Sequence, residues 1–217
     1  MKKFLTFYLV FCCTMAMAQL QFKSGKDGFS NFIKNNTIYP RYSKYNCIQG
    51  TVNVSFKLDN EGRVYFSKIN SGIITELNDE ALRLIRLSSG KWAIPAGYDS
   101  AAVIVVLVNF KLSGYDCEKK SSSDIRSAIE AYQTDERLTD VVLNFYKNID
   151  MAKPGQEAQI LAIKNQLGID DEYLEERIND GLKKIKQGDK PGACEDFLFV
   201  KHVGSSKADK YIAQYCK

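Results

Sequence analysis

"TVNVSFKLDNEGRV" (residues 51–64) decides how the first half of the chain is built. Val52, Val54, Phe56 and Leu58 alternate with Thr51, Asn53, Ser55 and Lys57. That period of two puts the apolar side chains of a strand on one face. "DNEG" (59–62) then supplies a reverse turn with Gly62 free to take a positive φ, and Val64, Tyr65 and Phe66 open a returning strand. The pair is expected to be a hairpin with one buried face.

Downstream, "LNDEALRLI" (77–85) carries Leu77, Ala81, Leu82 and Ile85 at helical spacing. Asn78 is expected to cap this helix, with Asp79 and Glu80 in its first turn beside the exposed amide groups. "VIVVLVNFKL" (103–112) reads as a third strand. Ile104, Val106, Val108, Phe110 and Leu112 would face the core, and Val103, Val105 and Leu107 would form a second apolar row in need of a cover. A hairpin, a crossover helix and one more strand make a small α+β layer, with the helix on one face of a three-stranded antiparallel sheet. Placing the third strand beside the first gives the order two, one, three and leaves that third strand at an edge.

These residues resemble the C-terminal domain of TonB and its relatives. The resemblance is carried in order by Tyr39-Pro40, Gly50, "LDNEGRV", Ser71-Gly72, "LNDEALRLI", Lys91-Trp92 with Pro95, and "VVLVNFKL", over roughly residues 27 to 114. It implies a domain whose last strand pairs with a short extended segment of an outer-membrane transporter. Such pairing works by β-augmentation: free backbone groups on an edge strand bond an incoming peptide, and alternate side chains add selectivity. Val103, Val105, Leu107, Asn109 and Lys111 would then be the protein-binding edge. The landmark prolines, Gly62 and Trp92 read as structural, with Trp92 a core aromatic. Exposed apolar edges are also aggregation hazards. A second reading therefore stays open, a scaffold protein whose edge is closed by a homodimer or by its own helical half.

The first eighteen residues read as a signal peptide: Lys2 and Lys3, an apolar stretch, then Ala16-Met17-Ala18 before Gln19. The apolar run is about 15 residues, short of the roughly 20 that a spanning helix needs. Cys12 and Cys13 follow bulky residues, so ordinary cleavage and a periplasmic chain are expected rather than lipidation. An uncleaved, inner-membrane-anchored transducer is the alternative. Against it, a transducer of this family needs a long proline-rich spacer, and the chain holds only Pro40, Pro95, Pro154 and Pro191.

Loss of Lys2 and Lys3 takes the formal charge from +4 to +2, which gives no electrostatic case for nucleic acid. Cys47, Cys117, Cys194 and Cys216 remain, in a setting where disulfides persist. With the third strand antiparallel beside the first, Cys47 lies opposite Cys117, and a Cys194 to Cys216 bridge would tie down the last helix. By the chain-entropy model the two loops are worth about 4 and about 3 kcal/mol.

From about Asp116 the texture changes. "DCEKKSSSD" reads as a linker (116–123) between a domain spanning 19–115 and a helical domain spanning 124–217. Helices are expected at 124–133, 135–149, 154–167, 171–187, 191–203 and 206–215. Gly168, Gly188 and Gly204 stand at left-handed ends, Pro154 and Pro191 near N1, and Ser206 with Asp209 forms a capping box. Gly181, Ala193 and Phe197 have the spacing of a tetratricopeptide-type hairpin, but one such unit is too few for a binding superhelix.

No phosphate loop, GxSxG elbow or metal-spaced histidine pair occurs, and the single histidine, His202, reads as a helix-end residue. "DDEYLEER" lacks the glycine of a calcium loop. No catalytic residue, metal or cofactor is expected, and the chain reads as a non-enzymatic protein-binding protein.

Overall fold

A computed structural model describes residues 20–216. The expected signal peptide lies outside those residues. The described chain runs β1 (Gln21–Phe22), α1 (Gly28–Asn36), α2 (Arg41–Tyr45), β2 (Gly50–Leu58), β3 (Val64–Ser71), α3 (Thr75–Leu87), β4 (Trp92–Ala93), β5 (Ile104–Phe110), α4 (Ser122–Lys147), α5 (Gln156–Gln166), α6 (Asp171–Gln187), α7 (Lys190–His202) and α8 (Asp209–Tyr215).

The hairpin and third strand form an antiparallel sheet in the order β3-β2-β5. Val52, Val54, Phe56 and Leu58 all point inward and are fully buried under α3, whose Leu77, Ala81, Leu84 and Ile85 complete the stripe. Trp92 is the core aromatic expected of it: its ring meets Phe22, Phe29 and Phe56, and its indole N–H donates to Ser88 Oγ at 2.9 Å. Gly62 has φ +78, and a Cβ there would strike the Trp92 carbonyl, so the turn needs glycine for conformation and for space.

Four short elements had no period to announce them. β1 pairs with β4, Phe22 opposite Trp92, while α1 and α2 line the layer. α3 also starts a turn earlier than expected. Its N-cap is Ile74, and Asn78 lies inside the helix with its amide oxygen turned back to accept from the Ile73 N–H at 3.2 Å. Burial of Ile74 in the core fixes this earlier start. Of the acidic residues, only Glu76 occupies the first turn; it accepts from the Ser43 N–H and hydroxyl. Glu80 instead takes the Ile38 N–H at 2.7 Å and the guanidinium of Arg83.

The second half is helical as expected, with three corrections. The expected helices at 124–133 and 135–149 are one continuous helix, α4, opened by a Ser121–Asp124 capping box. Nothing between Gln133 and Asp135 breaks it: Thr134 satisfies its hydroxyl on the Glu130 carbonyl one turn back. The Ser206–Asp209 capping box does not form; α8 begins at Asp209 behind Ala208, with no side-chain cap. Pro154 also falls outside α5, whose N-cap is Gly155 at φ +87. Pro191 does sit in the first turn of α7.

α6 and α7 form the expected hairpin, with Gly181 under the Phe197 ring, and α8 packs back as Tyr211 stacks on Phe197 at 5.3 Å. Both expected disulfides are present, Cys47–Cys117 and Cys194–Cys216.

A polar seam joins the halves. Arg86 on α3 reaches Glu195 at 2.8 Å and Asp189 at 3.6 Å, and Arg83 reaches Gln187 at 3.3 Å. On the other side of α3, Tyr42 donates to the Ala128 carbonyl at 2.8 Å and packs on Tyr132. Asp79 sits at this seam among Glu195, Lys184, Arg177 and Asp196, and burial pushes its carboxyl up to about 6 from an ordinary 3.8.

This packing sets expected outcomes for two glycines and for Asp79. Gly181→Val drives a branched side chain into Phe197 and should cost about 2 kcal/mol or more in urea unfolding. Gly168→Ala, at a positive φ in open space, should cost only about 1 kcal/mol. The Asp79 carboxyl holds its proton more tightly folded than unfolded, so folding binds a proton between those two pKa values. Stability should therefore fall as pH rises from about 4 to about 6, by on the order of 2 kcal/mol. Asp79→Asn should remove this part of the pH dependence and leave the protein more stable than its parent at pH above 7.

Candidate functional site: the β5 edge

β5 pairs with β2 over seven consecutive residue pairs, from Gly50 opposite Phe110 to Phe56 opposite Ile104, without a shift of register. Strand alternation then sorts every residue of β5. Across the turn, Asp59 N–H donates to the Arg63 carbonyl, so the odd residues of β2 direct their backbone groups to β3 and the even ones to β5. Even residues of β5 therefore bond β2, and the Leu112 N–H continues the pattern by donating to Gln49 Oε1 at 2.7 Å. The backbone N–H and C=O groups of Val105, Leu107 and Asn109 point away from the sheet.

Side chains follow the same alternation. Val108 and Phe110 are buried, and Ile104 and Val106 pack against the core. Val103, Val105 and Leu107 are 55, 56 and 67 % exposed, so no described residue of the helical half covers that row. Asn109 and Lys111 are exposed as well. The five residues expected at the edge thus lie together along one continuous strip.

The other edge of the sheet is different. Pairing of β3 with β2 is interrupted at Asn53/Val54 and again at Lys57/Leu58. Bulges twist a strand and disrupt its free ladder. β5 is the straighter template of the two.

Beside β5 lies a groove of about 550 Å³, walled on one side by Phe29, Ile33 and Lys34 of α1 and on the other by Leu107, Asn109 and Lys111. This wall carries no sequence signature, because α1 is only nine residues long. Tyr39 also lines the groove, with its hydroxyl donating to the Ile48 carbonyl at 2.6 Å; burial pushes its phenol up to about 12, so it stays a neutral donor. The strip has backbone donors and acceptors, apolar side chains and an adjacent trough. It has the means to accept an extended chain.

Among the described residues no group of acidic, histidine or cysteine side chains is placed to hold a metal ion. His202 is the exposed last residue of α7. No described helix is long and apolar enough to cross a membrane.

Fold and edge together define a TonB-like α+β domain followed by helices. Residues 35–112 match the family of the Gram-negative bacterial TonB protein C-terminal. The match runs from the end of α1 to just beyond β5, less than half of the chain, and leaves the helical half outside it. No curated protein and no solved structure gave a significant match.

Replacement of Asn109 by proline removes an outward N–H and leaves the β2 ladder intact, a position where an edge strand tolerates proline. Asn109→Pro should lower stability by no more than about 1 kcal/mol and abolish pairing of a peptide with the edge. Phe110→Ala, one residue on, should cost about 3–5 kcal/mol by emptying the core. Chemical denaturation of the two variants measures the difference.

Proposed function

We propose that the chain is an exported, periplasmic, non-enzymatic protein that binds an extended segment of an envelope protein by adding it as a strand to β5, in the service of TonB-dependent transport across the outer membrane. The observation that carries this reading is the unbulged and open edge of β5 in a domain matching the TonB C-terminal family. The match supports envelope transport as the setting, and an N-terminal segment of an outer-membrane transporter as the partner. The exposed Val103, Val105 and Leu107 row supports the contact itself.

In this reading residues 19–115 are the binding domain, 116–123 the connection, and 124–217 a helical domain that braces it. Bracing is supported by the seam, because Arg86 and Arg83 hold α3 against α7 and Gln187 while the edge on the far side of the sheet stays free. The helices add rigidity behind the strand and leave its ladder open.

A photo-crosslinking residue placed at position 109 in cells, with mass spectrometry of the captured peptide, tests the proposal. A transporter's N-terminal segment is the expected product. Capture of a second copy of the chain alone would replace the transport reading with a homodimeric scaffold. N-terminal sequencing of the exported protein should begin at Gln19.

A further inference from the structure

Just beyond β5 the surface changes character. Lys111 ends the edge, and Tyr115 follows it into a shallow slot formed with Arg41, Lys44, Tyr45 and Lys120. Lys44 Nζ lies 4.7 Å from the centroid of the Tyr115 ring, and Lys120 Nζ lies 5.1 Å from that of Tyr45. The two aromatic rings thus hold two ammonium groups at defined positions.

The slot is built from distant stretches of chain. α2 carries Arg41, Lys44 and Tyr45, while Tyr115 and Lys120 come from the segment after β5. The Cys47–Cys117 disulfide clamps the two together, and Lys120 adds a bond to Asn46 Oδ1 at 3.3 Å. One carboxylate, Asp116, also lines the slot and is paired with Lys119 at 2.7 Å, against the three cations Arg41, Lys44 and Lys120 there; Glu118 shares an adjoining depression with Lys111. Among the described residues none of Lys34, Arg41, Lys44, Lys111 and Lys120 forms a salt bridge. Lys34 stands on the opposite wall of the same trough as Lys111.

We propose that this basic, aromatic slot reads acidic side chains flanking the strand-pairing stretch of the bound peptide, so that the ligand is an extended segment carrying carboxylates at the end that lies beside Lys111. The proposal rests on strand addition at β5 and names the chemistry of its partner. Pairing to β5 supplies sequence-tolerant backbone bonds; the slot supplies a charge that must match, which is how complementary surfaces gain selectivity. Charges on Lys34 and Lys111 extend the positive field along the trough and would steer such a segment toward it.

The test is a selection from a random-peptide library on the purified chain beginning at Gln19, repeated on a Lys44→Gln/Lys120→Gln variant and on Asn109→Pro. Acidic residues concentrated at one end of the enriched peptides, and lost from those enriched on the double variant, are the expected result. A selected peptide should bind the double variant about fivefold more weakly at low salt, and the difference should shrink as salt is raised. Enriched peptides without acidic bias, or a bias that survives the double substitution, would overturn the inference while leaving strand addition standing. Peptides that bind Asn109→Pro as well as the parent would overturn both. Anionic vesicles, or a salt-sensitive dimer, bound by the parent and lost in the double variant would assign the slot to a lipid surface or a second copy and overturn it as well.

Discussion

Register between β2 and β5 is the constraint on which the rest of this structure depends. In a strand, side-chain direction and backbone direction alternate with the same period, so one choice of pairing fixes both. Val108 and Phe110 reach the core because the even residues face it, and the same choice turns the odd residues' N–H and C=O groups outward. A slip of one residue would bury Asn109 and expose Phe110. Two devices at the open end resist that slip, the Gln49–Leu112 bond and the Cys47–Cys117 disulfide, which pins the chain leaving β5 to the chain entering β2.

The helical half relates to this edge by standing away from it. Its polar contacts go to α3, which covers the inner face of the sheet, and to Tyr42 of α2, and its apolar contacts come from Ile125, Ala128, Ile129 and Tyr132 at the start of α4. Buried charges make a poor adhesive, because desolvation offsets much of their attraction. Here Arg86 is held between Asp189 and Glu195 and bonded to Ser67 as well, so the cation is met from several directions. Such a seam fixes orientation more than it adds stability, which suits a brace.

Much of the layer was legible in the sequence, because alternation and helical spacing are direct records of burial. The four inward residues of β2, the two rows of β5 and three of the α3 stripe, Leu77, Ala81 and Ile85, follow from period alone; Leu84 is fully buried where Leu82, only partly buried, was expected. Both disulfides were legible once the strand order placed Cys47 opposite Cys117. α1 and α2 were not: nine and five residues are too few for a helical period to stand out, and α2 is all polar or aromatic. That loss mattered, since α1 supplies one wall of the trough and α2 most of the basic slot. Asn78 shows a different failure. Its side chain does bond a backbone N–H, but the one preceding the helix, because burial of Ile74 outweighs the local preference for asparagine at the cap.

The two edges of the sheet show why β5 rather than β3 should meet a partner. Both are solvent-facing, and both carry apolar side chains, Tyr65 and Phe66 on one and Val105 and Leu107 on the other. Yet β3 is broken by two shifts of register, and Tyr65 is tied by its hydroxyl to the Ser100 carbonyl at 2.8 Å. Natural sheets blunt an edge by such means when it must not pair. β5 has neither bulge nor proline, and its apolar row gives way to Asn109 and Lys111 only at the end. A chain that protects one edge and leaves the other straight has retained a strand-shaped opening on one side only. The cations gathered where that opening ends add a positive field to it, and in the proposed reading an incoming strand must match that charge.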